Sequence, residues 1–270
     1  MPELPEVETT KNSLTPLLQQ KVMAITVYQP KLRWPIPSDL EQLIGKRLTE
    51  LSRRSKYIFA QFEEKNMLWH LGMSGSFRLC KFDEPLRKHD HFVIRFENLE
   101  LRYHDPRRFG CILWLDEYAQ EKLIAPLGPE PLSTAFNADY LKNALQRKKT
   151  AIKVAIMDNH VVVGVGNIYA TESLFNLGIH PSQSANTLTI QQIEQLTVEI
   201  KRILAQAIQL GGSTLRDYTN AMGENGYFQQ TLLAYGRAGE MCVNCETTLE
   251  NIKLGQRASV FCPQCQPLKA

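Results

Sequence analysis

Cys242-x2-Cys245 and Cys262-x2-Cys265, separated by sixteen residues, place the tightest local constraint on this chain. Two short C-x2-C knuckles on a hairpin bring four thiolates to one point, which is what a tetrahedral zinc ion requires. The same cysteines would also serve two disulfides, but these need an oxidising compartment, and no secretory segment opens the sequence. The spacing therefore favours zinc, and structural zinc, because four protein ligands leave no position for water. Cys80 and Cys111 stand apart from this group and are expected in the core.

The rest of the chain changes period once. Residues 3 to about 20 read as a helix with an apolar side of Leu4, Val7, Leu14, Leu17 and Leu18, disturbed at its end by Pro16. From Val22 to about Leu115 the pattern alternates, as in Lys21–Tyr28 and His91–Phe96, which predicts a β-sandwich or barrel. Leu127-Gly128-Pro129-Glu130-Pro131-Leu132 punctuates the chain. Beyond it the spacing is helical, most clearly at Ile193, Leu196, Ile200, Ile203, Leu204, Ala207 and Ile208, with Gly211-Gly212 as the stop. The expected class is α+β. An N-terminal β-sandwich with a leading helix spans 1–130, a helical domain 131–236 and a zinc hairpin 237–270.

A length of 270 residues with 43% hydrophobic and 22% charged side chains suits such a globular chain. No apolar run approaches the ~20 residues of a membrane span, so no membrane partner is expected and the cytoplasm is the default compartment. A net charge of +3 neither requires nor excludes a polyanion. Basic residues are nevertheless clustered, at Lys46, Arg47, Arg53, Arg54 and Lys56 and again at Lys142, Arg147, Lys148, Lys149 and Lys153. Two clusters in different domains favour phosphate contacts more than either does alone.

Several strings carry chemistry. Removal of Met1 ahead of the small Pro2 leaves a secondary amine. With a reference pKa of about 8, part of such an amine is unprotonated and nucleophilic at neutral pH. Amines attack carbon electrophiles and form iminium intermediates, and Glu3 and Glu6 lie close behind for proton transfer. The same residues also compose an ordinary capped helix start.

His70-Leu71-Gly72-Met73-Ser74-Gly75-Ser76 and Asp105-Pro106-Arg107-Arg108-Phe109-Gly110 are turn-like breaks in the alternating region. Met73 and Phe109 are candidate wedges between base pairs, and an adjacent arginine can pair with an orphaned base. Gly164-Val165-Gly166-Asn167-Ile168-Tyr169 fails as a dinucleotide fingerprint because Tyr169 stands where the third glycine belongs. It reads instead as a glycine turn with Asn167 capping a helix, and exposed amides there suit a phosphate. His89-Asp90-His91 lacks matched third and fourth metal ligands, so His89 is read as structural or phosphate-binding.

Taken together, the opening Pro2-Glu3-Leu4-Pro5-Glu6-Val7-Glu8-Thr9 and the later strings resemble the formamidopyrimidine-DNA glycosylases, bacterial enzymes that remove oxidised purines from DNA. The resemblance runs essentially end to end and implies a role for each matching residue. Pro2, Glu3, Glu6 and Lys56 would be catalytic, with Pro2 forming a Schiff base and strand cleavage following by β,δ-elimination. Met73, Arg107 and Phe109 would intercalate. Arg108, His70, His89, Lys153, Asn167, Tyr235 and Arg257 would contact DNA. The 163–170 string would lie in a helix–two-turns–helix element, and residues 213–229 would form the loop over the extruded base.

The implied partner is duplex DNA carrying oxidised purines or abasic sites, bound by a monomer associated with the nucleoid. The implied cofactor is one structural zinc held by Cys242, Cys245, Cys262 and Cys265. Leu4, where the related endonuclease VIII group generally has glycine, and the Arg-Arg-Phe string favour purine over pyrimidine lesions. Two rivals remain. A non-catalytic damaged-DNA binder would need no free proline terminus, and a metal-dependent nuclease would need a carboxylate cluster.

Overall fold

The computed structural model describes residues 2–213 and 220–268. The chain divides into two compact units, Met1–Pro126 with Leu210–Gln229 and Leu127–Gln209 with Gln230–Ala270. The first break coincides with the proline-rich punctuation. The return of 210–229 to the first unit has no counterpart in the sequence pattern, because a glycine stop after a helix says nothing about where the chain goes next.

Helix α1 runs from Leu4 to Ser13, shorter than the periodicity predicts. Glu3 is its N-cap, and a capping box joins Glu3 and Glu6 reciprocally. A 3-10 turn at Thr15–Leu17 contains Pro16, whose missing N–H cannot continue the α-helical ladder. The predicted apolar side is real: Leu4, Val7, Leu14 and Leu17 are fully buried.

Eight strands follow, β1 Val22–Val27, β2 Leu48–Arg54, β3 Tyr57–Phe62, β4 Lys65–His70, β5 Ser76–Cys80, β6 Asp90–Phe96, β7 Glu100–His104 and β8 Cys111–Trp114. They form two antiparallel sheets, ordered β1-β6-β7-β5 and β2-β3-β4-β8. Alternation puts Ile58, Ala60 and Phe62 of β3 inward. Between the sheets, Phe62 stacks with Phe96 at 6.4 Å and Trp69 meets Phe77 at 4.9 Å. Cys80 and Cys111 are buried as expected, and burial pushes the Cys111 thiol up to about 12, so it stays protonated.

The topology accounts for the two breaks. The chain passes from one sheet to the other between β4 and β5 and again between β7 and β8. Because β4 pairs with β8 through His70↔Cys111 and β5 with β7 through Ser76↔His104, the two crossovers run side by side.

The short helix α2 Glu117–Ala119 still belongs to the first unit, and the second contains α3 Ala138–Leu145, α4 Ile152–Ile156, α5 Asn167–Asn176 and α6 Ile190–Gln209. The periodic residues Ile193, Leu196, Ile200, Ile203, Leu204 and Ala207 are all buried. Gly211 and Gly212 follow with φ of +75° and +79°, the left-handed conformation that ends a helix. The last element is the hairpin β9 Glu250–Leu254 and β10 Arg257–Phe261. Its tip residues Gly255 and Gln256 both have positive φ, as a two-residue type I′ turn demands.

Candidate active site and nucleic-acid interface

Pro2 is buried, and Glu3 and Glu6 are each 2% exposed at the head of α1. Glu6 Oε2 accepts the Glu3 N–H at 2.8 Å, while Oε1 accepts the Ser213 N–H, also at 2.8 Å. Both oxygens therefore hold backbone donors. The sequence reading assigns Glu6 to proton transfer; its geometry is that of a strut that fixes Glu3 and the root of the 213–229 stretch. Much of that stretch, residues 214–219, lies outside the described residues, as does Met1. Gly212 is packed against Glu6, leaving little room for a Cβ, and Ser13 Oγ accepts the Ala221 N–H at 3.0 Å.

Lys56 occupies the tip of the β2–β3 hairpin beside Ser55, whose φ is +56°. The adjacent cross-strand pair is Tyr57↔His70, with rings 4.8 Å apart. Burial, with Lys56 and Arg33 nearby, lowers His70 to about 4. It is thus neutral at physiological pH, with Nδ1 accepting the Gly72 N–H at 3.0 Å.

The two sheet crossovers present the candidate wedge. Met73 is half-buried, Arg107 and Arg108 are exposed, and Phe109 is 45% exposed. The Arg107 guanidinium lies 4.8 Å from the centre of the Phe109 ring. A large apolar side chain this exposed is not part of the core. His89, in the left-handed region at φ +75°, has its ring 5.9 Å from His91 and 6.0 Å from His104. His91 and His104 are committed, to the Asp105 carbonyl at 2.8 Å and the Asp90 carboxylate at 3.1 Å.

The basic clusters are less available than their charge implies. Lys46 pairs with Glu63 and Glu64, Arg47 with Glu97, and Arg53 with Glu8. In the second unit Lys148 pairs with Asp158 at 3.2 Å. Lys153 is 1% exposed, and its ammonium donates to the Ala258 carbonyl at 2.9 Å and Ser259 Oγ at 2.8 Å. It thereby ties α4 to the strand that carries Arg257, which is exposed beside the hairpin tip.

Asn167 does not cap α5. Gly166, extended at φ −116°, is the N-cap, and Asn167 is the first helical residue. Its Oδ1 is buried and has no hydrogen-bond partner among the described residues. Glu172, on the same helix and 2% exposed, carries no signal in the sequence that sets it apart. Its carboxylate accepts the backbone N–H groups of Leu233, Ala234 and Tyr235 at 2.8, 3.0 and 2.7 Å. This fixes Tyr235 and the entry to the hairpin.

The four cysteines form no disulfide. Their sulfurs all lie within 4.8 Å of one another, with contacts of 3.9 Å (Cys242–Cys265), 3.5 Å (Cys245–Cys262) and 3.3 Å (Cys245–Cys265). Tetrahedral zinc, with Zn–S near 2.3 Å, has S···S edges of about 3.8 Å, so the cluster fits one ion with little adjustment. Among the described residues it is the one cluster of potential ligands close enough to hold a metal.

Comparison with known proteins agrees with this architecture. Residues 1–112 match the formamidopyrimidine-DNA glycosylase N-terminal domain, 127–219 its H2TH domain and 239–268 the zinc finger found in FPG and IleRS. The chain belongs to the formamidopyrimidine-DNA glycosylase family. It is 74% identical to that glycosylase of Acinetobacter baumannii, covering 100% of this chain and 98% of the relative. The relative from Acinetobacter baylyi is 73% identical over 100% and 99%. Among solved structures, Lactococcus lactis Fpg in complex with an abasic site containing DNA superimposes with a TM-score of 0.91 at 35% identity, covering 98% of this chain and 99% of that one. The same enzyme with a Fapy-dG containing DNA gives 0.90 at 34% identity, over 98% and 100%. Within this family the zinc finger is a structural element, and the four cysteines are positioned for one zinc ion.

Proposed function

We propose that the chain is a bifunctional DNA-repair glycosylase and abasic-site lyase acting on oxidised purines in duplex DNA in the bacterial cytoplasm. The observation that carries this is the head of α1, where Pro2 is buried together with two carboxylates that are each 2% exposed. Once Met1 is removed, the Pro2 amine uses its lone pair to bond the sugar C1′, and the C1′–base bond breaks. The electron pair leaves with the base, which takes up a proton. Glu3 manages protons at the sugar, and Glu6 holds Glu3 in place. Opening of the sugar gives an iminium that acidifies the C2′ proton. Loss of that proton expels the 3′ phosphate, and a further elimination expels the 5′ phosphate. Lys56 sits by its hairpin position to serve a phosphate or a proton transfer.

In this reading residues 1–130 carry the chemistry, 131–236 grip the backbone, and the finger from 237 supplies Arg257. Met73, Arg107 and Phe109 enter the stack, paying the few kcal/mol of unstacking. Arg108, His70, His89, Asn167 and Tyr235 contact the strand, and Lys153 sets the finger against α4. Zinc, when bound, shapes the finger and takes no part in the nucleotide chemistry. No helix of the described residues is long and apolar enough to cross a membrane.

The test is a borohydride trap on duplex DNA carrying one 8-oxoguanine opposite cytosine. An adduct that maps to Pro2 by peptide mass is expected. Pro2→Gly should weaken base release and trapping while keeping DNA affinity. Full turnover by that variant would sink the amine mechanism, and binding without any adduct by protein lacking Met1 would favour a non-catalytic binder.

A further inference from the structure

Asp105 is fully buried between the two sheet crossovers, yet the mechanism above gives it no task. Its Oδ1 accepts the Ser74 hydroxyl at 2.6 Å. Its Oδ2 accepts the Gly110 N–H at 2.9 Å and the Tyr103 hydroxyl at 3.2 Å. Burial and this carboxylate push Tyr103 well above the ordinary phenol range, so its hydroxyl stays protonated and donates. Ser74 Oγ in turn accepts the Arg107 N–H at 3.1 Å, which links the residue after Met73 to the arginine of the second crossover. The backbone of Asp105 is used as well, its carbonyl accepting from the Arg108 N–H at 3.2 Å and from His91 Nε2 at 2.8 Å.

Packing closes the remaining space. A Cβ on Gly72 would strike the backbone of Phe109 and Gly110. One on Gly110 would strike the Tyr103 hydroxyl and the His70 carbonyl. Gly75 is likewise pressed against Leu71 and Tyr103. The two crossovers touch backbone to backbone, with one carboxylate serving both.

We propose that Asp105 and Ser74 are positioning residues that clasp the Met73 crossover to the Arg107–Phe109 crossover, so that the wedge is a single preformed body. The proposal rests on the wedge reading of Met73 and Phe109. A preformed wedge spends no binding energy on ordering two loops when it meets DNA. The clasp therefore matters where a stacked base must be evicted and is idle where no base remains to be moved.

Ser74 is half-buried at a turn, so Ser74→Ala removes both the donor to Asp105 and the acceptor for Arg107 without disturbing the core. Misplacement of a reacting group by an ångström costs up to about 100-fold, so release of 8-oxoguanine from duplex DNA should fall roughly 10- to 100-fold. Lyase action on DNA that already carries an abasic site should be little changed. Ser74→Thr, which keeps the hydroxyl, should retain most base release. A Ser74→Ala enzyme that releases the base at the wild-type rate, or that loses both activities in parallel, overturns the clasp. Met73→Ala is run beside it. If Met73→Ala leaves base release intact, the wedge reading fails and the clasp with it. If Met73→Ala shows the split and Ser74→Ala does not, the clasp alone fails.

Discussion

The sandwich unit and the zinc hairpin hold the segments proposed to face DNA by different means. The crossovers of the sandwich emerge from strands already fixed by a continuous core, including Phe62, Trp69, Phe77, Phe92 and Phe96, all buried. The hairpin has two five-residue strands and packs on a small cluster of Phe175, Ala234, Cys242, Leu249, Val260 and Cys262. A two-stranded hairpin is marginal in water without further support. In the sandwich the core fixes where each crossover begins, leaving only a short polar clasp through Asp105 and Ser74 to join the two, whereas a segment with little core depends on polar and metal ties for its fold. The hairpin has both, in its four thiols and in Glu172.

The sharpest way to break this contrast is to remove a thiol. Cys245→Ser takes one ligand from a site whose ion, in comparable peptides, contributes on the order of 10 kcal/mol to folding. Zinc content should collapse and affinity for lesion DNA should fall by orders of magnitude. The sandwich should still unfold cooperatively, with near-wild-type exchange protection in β3 and β4. A variant that loses zinc yet binds DNA normally would show that the hairpin stands without its metal.

A smaller effect is expected at Glu172. In Glu172→Gln one oxygen can still accept, but the new amide faces a backbone N–H. An unsatisfied buried polar group costs about 1–3 kcal/mol. Faster hydrogen exchange at Leu233, Ala234 and Tyr235 should accompany weaker DNA binding, with zinc retained. Unchanged exchange there would mean that the hairpin entry is held by packing instead.

How much of this was legible beforehand depended on whether the signal was local. The four thiols converge because their spacing is local, and the apolar stripe of α6 is a local period. The pattern overruns the end of α1 because leucines continue the apolar side past Ser13 while Pro16 changes the helix type. Charge misleads at Lys46, Arg47 and Arg53, whose partners Glu63, Glu64, Glu97 and Glu8 come from the β3–β4 turn, the β6–β7 turn and the leading helix. Asp105 and Ser74 were both inside strings that the sequence singles out. Their bond spans 31 positions and exists only because two crossovers share one end of the sandwich. Glu172 reaches its amides across 61 to 63 positions, and one glutamate on a helix gives no hint of that.

The last expected effect appears only in acid and sharpens the contrast from the sandwich side. His70 is lowered to about 4 by burial and the nearby charges of Lys56 and Arg33, against an ordinary value of 6.5. The unfolded chain therefore binds a proton here that the folded chain refuses. Above pH 6.5 neither state is protonated and the term vanishes. As pH falls from 6.5 towards 4, stability is lost by up to about 1.4 kcal/mol per pH unit, and below that range the slope ends. His70→Gln keeps an acceptor for the Gly72 N–H but cannot titrate. Thermal unfolding of the sandwich at about pH 5 and at neutral pH should show wild type losing ground to this variant in acid. A difference between the two proteins that does not change with pH would mean that folded His70 takes up its proton normally. The neutral ring would then be no part of how the Met73 crossover is held.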